Sequence, residues 1–324
     1  MAEKIVMQMR SLGGTGIQVT PIGLGVMQFS GGAGPFGAAF PVMTQEEKTS
    51  LVKTALEGGI NWFDTAELYG FGQSERNLSQ ALQNLGIKIG TVVVATKWWP
   101  LFRTARNIQY SIKDRLNYLN PYPIDLYYVH QPFSFSSPEA EMDAMADLVA
   151  AGKIRSVGVS NFSAERMRHA HTALAKRGLK LAANQVHYSL AHRKIEADGT
   201  LQAAQELGVS IVAYTPLEYG LLTGIYHKNP ALLEKKPFFR RRGLQRRIET
   251  TRPLVTAMEE IAAKYNATAG QVALNWLVSF HGDTVLAIPG ATKASQVEQS
   301  AGVMKFNLSE EELDRLDHLS KGFR

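Results

Sequence analysis

The chain has 324 residues, 45% hydrophobic and 20% charged, with a formal net charge of +6 and no cysteine, so disulfides, zinc–cysteine sites and thiol nucleophiles are excluded together. No apolar stretch reaches the ~18 residues of a membrane helix, and the opening MAEKIVMQMR carries no run of signal-peptide length, so the expectation is a cytoplasmic protein with no membrane partner. The modest positive charge permits an anionic ligand and does not call for nucleic acid.

In chain order, MRSLGGTGIQV (9–19) reads as two short strands about a Gly-rich turn. A first apolar run, PIGLGV (21–26), is followed by SGGAGPFGAAFP (30–41), which is too rich in Gly and Pro for a regular element. Thr44, with Glu47 three residues on, predicts a capping box and a helix. Further short apolar runs follow: INWFDT (60–65), TVVVATK (91–97), IDLYYVH (124–130), IRSVGVS (154–160), LAANQVH (181–187), VSIVAYT (209–215) and TVLAIP (284–289). Most are Val/Ile-rich, as parallel strands buried on both faces must be. Helical spacing begins at Ser74 and recurs over 104–120, 138–151, 163–177 and 199–207, with Gly152, Gly178 and Gly208 as stops. Residues 216–252 read as a long insertion after the seventh run, and 309–319 as an extra C-terminal helix.

Eight strands alternating with helices predict an α/β fold, a (β/α)8 TIM barrel over 1–324 as a single domain, its bottom plugged by the N-terminal β-hairpin. Chemistry in such a barrel sits where strands end. The second run ends in Asp64 with Tyr69 in its loop, the third in Lys97 and the fourth in His130. A lysine at that mouth needs an anion, which Asp64 supplies, and a phenol beside it is expected to be brought down from ~10 toward neutrality. His130 can donate to a carbonyl oxygen. The fifth run ends in Ser160-Asn161, the sixth holds Gln185, and the seventh ends in Tyr214-Thr215.

Two patterns are decoys. Gly32-Ala-Gly34-Pro-Phe-Gly37 spells a dinucleotide loop, but no helix starts within it. His169-x-His171 has a spacing that does not put both rings on one helical face.

DTAELYGFGQSE (64–75), VVATK (93–97), IDLYYVHQP (124–132), GKIRSVGVSNF (152–162) and IPGATKASQVEQ (288–299) together resemble the aldo-keto reductases. The resemblance implies that fold and a reversible hydride transfer from NADPH (NADH being possible) to an aldehyde or ketone. It implies Tyr69 as general acid, Lys97 and Asp64 as its tuning pair, and His130 as orienter of the carbonyl. It places the nicotinamide carboxamide on Ser160, Asn161 and Gln185, its ring on Tyr214, and the pyrophosphate near Thr215, Leu217 and Gly224. Gly25 and Met27, at the end of the first run and just after it, belong to the same cofactor lining, as do Gly290, Lys293, Gln296 and Gln299 after the last. Many members grip the 2′-phosphate with a Lys-Ser pair and a later Arg. Here Gly290, Ala291 and Gln296 stand instead, which leaves Lys293 and, as a candidate replacement, the arginines of 240–247. Phe29, Trp98, Trp99 and Phe133 are the expected walls of the substrate pocket. Two other functions fit the same residues: an NADPH-binding regulatory subunit with weak turnover, and a lyase forming a Schiff base on Lys97. Substrate, direction and oligomeric state are not written in the motifs.

Overall fold

The computed structural model describes residues 8–33, 41–235 and 238–324. The expected hairpin is present as antiparallel β1 (Arg10–Ser11) and β2 (Gln18–Val19). Eight strands follow: β3 (Leu24–Gly25), β4 (Trp62–Asp64), β5 (Val93–Trp98), β6 (Ile124–Val129), β7 (Ile154–Ser160), β8 (Leu181–His187), β9 (Ser210–Tyr214) and β10 (Val285–Ala287). They pair in parallel, in chain order from β3 to β10. The two ends then meet: Ile22 bridges Ala287 and Gly25 bridges Gly290, with Gly23 N–H donating to Ala287 O at 2.8 Å and Ala287 N–H to Pro21 O at 3.0 Å. The sheet is a closed (β/α)8 barrel.

Around it lie α1 (Gln45–Glu57), α2 (Gln73–Asn84), α3 (Arg106–Leu119), α4 (Pro138–Ala150), α5 (Ala164–Lys176), α6 (Lys194–Ala197), α7 (Thr200–Leu207), α8 (Ile225–Lys228), α9 (Phe238–Lys264), α10 (Ala269–Ser279), α11 (Ala294–Gly302) and α12 (Glu310–Ser320). The Thr44 capping box is formed, with Thr44 N–H donating to Glu47 Oε2 at 2.8 Å and Glu47 N–H to Thr44 Oγ1 at 3.2 Å. Thr268 and Ser309 form the same box at α10 and α12, and Ser163 caps α5 by accepting the Arg166 N–H alone, each cap worth ~1 kcal/mol. No described helix is long and apolar enough to cross a membrane.

Strand alternation divides the apolar side chains into two cores. Trp62, Val93, Ala95, Leu126, Tyr128, Val212 and Leu286 point inward and meet Leu12, Ile17 and Val19 of the hairpin, which therefore closes the end where the strands begin. Gly13 makes that contact possible. Its φ is +51°, and a Cβ there would stand 2.1 Å from the Ala182 carbonyl oxygen. The residues between, such as Val94 and Trp98, point outward into the larger core under the helices.

The segment after β9 corrects the expectation of a long loop. Residues 218–223 form a 3₁₀ turn, α8 follows, and α9 runs 27 residues from Phe238 with Pro253 in its interior. Leu244 and Ile248 pack on Leu221, Tyr226 and Leu233, and Val255 and Met258 continue the same face into the main core. That face keeps a helical period, which the arginine run and Pro253 obscure in the sequence. Arg193, fully buried, donates to Glu196, Asp317 and Ser320 and so pins α12 to the barrel. Of the Gly-rich stretch 30–41, residues 34–40 lie outside those described, and with them all of the GxGxxG decoy but Gly32 and Ala33.

Candidate active site

Three adjacent strands bring the expected chemistry to the open end of the barrel. Asp64 closes β4, Lys97 lies one residue before the end of β5, and His130 follows β6 directly. Lys97, with no exposed surface, donates to Asp64 Oδ1 and to the Thr65 carbonyl at 2.7 Å. Asp64 Oδ2 also accepts Gln185 Nε2 at 2.9 Å, which ties the pair to β8 across the barrel. Tyr69 sits where the β4 loop turns back, its N–H bonded to Ala66 O at 3.1 Å. Lys97 Nζ lies 5.1 Å from the Tyr69 ring centroid. The His130 ring is edge-on to Tyr69 at 5.8 Å and to Trp99 at 5.3 Å.

Burial sets the protonation of this group. It pushes the Asp64 carboxyl up and the Lys97 ammonium down, and their mutual contact works against both changes. It holds the His130 imidazole well below its ordinary value, aided by the Lys97 charge, so the ring is neutral at pH 7. Its Nδ1 is buried with no hydrogen-bond partner. The expected lowering of Tyr69 by Lys97 is not observed. Burial pushes the phenol above its usual value, and the Asp64 carboxylate adds to the rise. The lysine's donors are directed at Asp64 and Thr65 rather than at the phenol oxygen.

The opposite side of the mouth is polar and aromatic. Tyr214 OH donates to Asn161 Oδ1 at 3.0 Å. Asn161 Nδ2 donates to Ser160 Oγ at 3.2 Å, and Ser160 Oγ to the Gln185 carbonyl at 2.9 Å. Asn161 holds φ +59° and Thr215 φ +52°, conformations costly for residues with a Cβ. Leu217 begins the 3₁₀ turn that Gly224 (φ +78°) ends. After β10, Lys293 stands exposed just before α11, while Gln296 Oε1 accepts Thr292 N–H at 2.8 Å and Gln299 is exposed.

The sequence profile of the aldo/keto reductase family matches residues 21–321. The chain belongs to that family. An uncharacterized oxidoreductase of Mycobacterium tuberculosis is 36% identical to it over 310 residues, covering 95% of this chain and 91% of that protein. The crystal structure of a thermostable aldo-keto reductase in complex with the inhibitor epalrestat superposes with a TM-score of 0.76 at 31% identity, covering 97% of this chain and 100% of that one. A second, from Klebsiella pneumoniae and in complex with NADPH, has a TM-score of 0.73 at 27% identity, covering 97% and 96%.

In this aldo/keto reductase two of the expected pocket walls face elsewhere. Trp98 is fully buried in the outer core, its Nε1 donating to Asn107 Oδ1 at 2.9 Å. On a strand whose Lys97 points into the mouth, the next side chain must point out. Phe29 is likewise buried in the outer core, in the short turn that the Asn77 side chain of α2 holds through the Phe29 carbonyl at 2.6 Å. Trp99 stands against His130, and Phe133 is 54% exposed on the loop after β6. Gly25 and Met27 flank the end of β3, and Gly290 packs on the Gln28 amide across the barrel seam. Arg247, one of the arginines considered for a phosphate, is committed to Glu218 Oε2 at 2.6 Å and the Ala191 carbonyl at 2.7 Å. Arg242 and Arg246 are exposed on α9. His169 is exposed and bonded to Glu139, and among the described residues there is no metal-binding cluster.

Two carboxylates that the motifs did not single out organise the mouth. Glu67 joins the loops after β4 and β5, and Glu218 joins the loop after β9 to β8 and α9. The signal for Glu67 was an acid in one loop and Arg103 in the next, on adjacent strands.

Proposed function

We propose that this oxidoreductase reduces the carbonyl group of an aldehyde or ketone with NADPH, and that Tyr69 supplies the proton. The observation that carries the reading is the convergence of Tyr69, neutral His130 and the buried Lys97–Asp64 pair at one strand-end mouth. NADPH, when bound, would supply the hydride. The residues present fit its nicotinamide end, with Asn161, Ser160 and Gln185 offering amide and hydroxyl groups beside the flat Tyr214 ring. The related Klebsiella protein was solved with NADPH. At the phosphate end the cation offered before α11 is Lys293, so the preference for NADPH over NADH is assigned to it.

A neutral His130 donates a hydrogen bond to the carbonyl oxygen without competing for its proton. A phenol held above its usual range stays protonated, and releases its proton only to a stronger base, the alkoxide that forms as the carbonyl is reduced. The same property makes alcohol oxidation, which needs the phenolate, the harder direction. Lys97 is fully buried, with two donors already bonded, so no substrate carbonyl carbon reaches it as a Schiff base requires.

The test is loss of reduced-nicotinamide absorbance on mixing purified protein with NADPH and a panel of aldehydes and ketones, with Tyr69→Phe alongside. Turnover lost by ~10²–10⁴-fold in the variant supports the reading. Tight NADPH binding with no turnover on any carbonyl would favour the regulatory subunit instead.

A further inference from the structure

Glu67 lies between Asp64 and Tyr69 but turns toward the neighbouring loop. Its Oε2 accepts the Trp99 backbone N–H at 3.0 Å, and its Oε1 accepts Arg103 Nη1 at 2.7 Å and lies 3.3 Å from Arg115 Nη1. Its own N–H donates to the Lys97 carbonyl at 3.2 Å. Arg103 also donates to the Trp99 carbonyl at 3.1 Å, and its carbonyl accepts Phe135 N–H at 2.9 Å. The loop after β5 is thus fastened at both ends, to β4's loop by Glu67 and to β6's loop by Phe135. Between these ties Phe102 is held at φ +59°, 79% exposed, with its ring 6.3 Å from that of Phe135, itself 71% exposed. A bulky aromatic in a left-handed conformation and in solvent costs energy on both counts, and the surrounding bonds keep it there.

We infer that Glu67 is a positioning residue that selects for carbonyl compounds with an apolar aromatic body. It acts through Trp99, which it presses against His130, and through Arg103, which sets the Phe102–Phe135 pair on the rim. This rests on the carbonyl-reductase reading of the same mouth. The aldehyde or ketone group would meet Tyr69 and His130, and its aromatic portion the Trp99 face and the outer phenylalanines.

The experiment compares wild type with Glu67→Gln and Arg103→Met. Arg103→Met leaves Glu67 its contact with buried Arg115 and serves if Glu67→Gln fails to fold. Hydrogen exchange is read first, in peptides spanning 98–104, where both variants exchange faster if the tie holds Trp99 N–H. Kinetics then use a short aliphatic aldehyde and a bulky aromatic one. The expected result is a fall of about 10-fold in the aromatic-to-aliphatic ratio of kcat/KM, carried by KM. Unchanged exchange overturns the positioning role, as does a ratio that holds while both substrates weaken together. Wild type that turns over neither aldehyde overturns the reductase reading, and the exchange result still decides whether Glu67 holds the loop.

Discussion

On the side of the mouth built by the loops after β4, β5 and β6, Glu67 gathers the Trp99 N–H, Arg103 and Arg115. On the opposite side Glu218 gathers His187 at 2.6 Å, Ser189 at 2.7 Å and Arg247 at 2.6 Å. Each is a carboxylate meeting three donors, two from one loop or strand end and the third an arginine of a helix. They differ in what they hold. Glu67 holds the loop that carries Trp99, against His130, and the exposed Phe102, while Glu218 is itself at φ +50° and sits between Thr215 at +52° and Tyr219 at +55°. Of the seven described non-glycine residues with positive φ, six lie in loops at this end of the barrel and the seventh, Asn266, lies between two helices. Backbone strain is therefore concentrated where ligands would bind, and buried charge on both sides keeps the loops in place. In the proposed reading the first side would meet the apolar part of the substrate, and the second would offer amide and hydroxyl groups to the cofactor.

The largest effect that would sharpen this division is the loss of turnover in Tyr69→Phe, with NADPH affinity, measured by fluorescence titration, kept within about twofold. A parallel loss of NADPH binding would break it. Asp64 belongs to both sides, through Lys97 and Gln185. Asp64→Asn leaves a buried ammonium without its counter-ion and is expected to cost ~3–5 kcal/mol in urea unfolding. Glu218→Gln is expected to weaken NADPH about 10-fold, the scale of one charge-assisted hydrogen bond, while the ranking of carbonyl substrates is kept. A changed ranking would mean that the two sides are not separable.

Smaller effects lie in pH dependence. Burial acts against ionisation of Glu218, but the His187 and Arg247 contacts outweigh it and hold the carboxyl down at about 2. Its contribution to stability is thus present above the ordinary carboxylate range and lost as pH falls toward about 2. Glu75, behind Lys97, behaves in the opposite sense. Burial pushes it up to about 7, despite Arg115 and the Thr96 hydroxyl at 2.6 Å. Between its unfolded value near 4.5 and about 7 the folded state holds a proton that the unfolded chain has released, so stability falls as pH rises through that window. The difference in Tm between Glu75→Gln and wild type should move in the variant's favour from pH 5 to pH 8. A constant difference would remove Glu75 as the source. Glu141, also pushed up to about 7, retains part of the slope in either protein.

Much of this was legible from residues alone. The eight apolar runs coincide with the eight barrel strands to within a few residues, because parallel strands buried on both faces demand unbroken Val/Ile-rich runs. Asp64, Lys97 and His130 were placed at strand ends by the same reading, and Tyr69 by its loop and the family motif. Trp98 was misjudged because adjacency to Lys97 in sequence means the opposite face in a strand. The first half of α9 was missed because five arginines from 240 to 247 hide the apolar stripe of Leu244 and Ile248, which only Leu221, Tyr226 and Leu233 explain.

The sequence by itself determined the fold, the family and the identity of the polar groups at the strand ends, since local periodicity and short motifs carry that information. Only the tertiary structure decided how those groups are charged and held. Burial raised Tyr69 where proximity to Lys97 alone argued for lowering it, and Arg247 was drawn to Glu218 and away from any phosphate. Dehydration and long-range partners set these outcomes, and both arise only when segments distant in the chain close around the same few atoms.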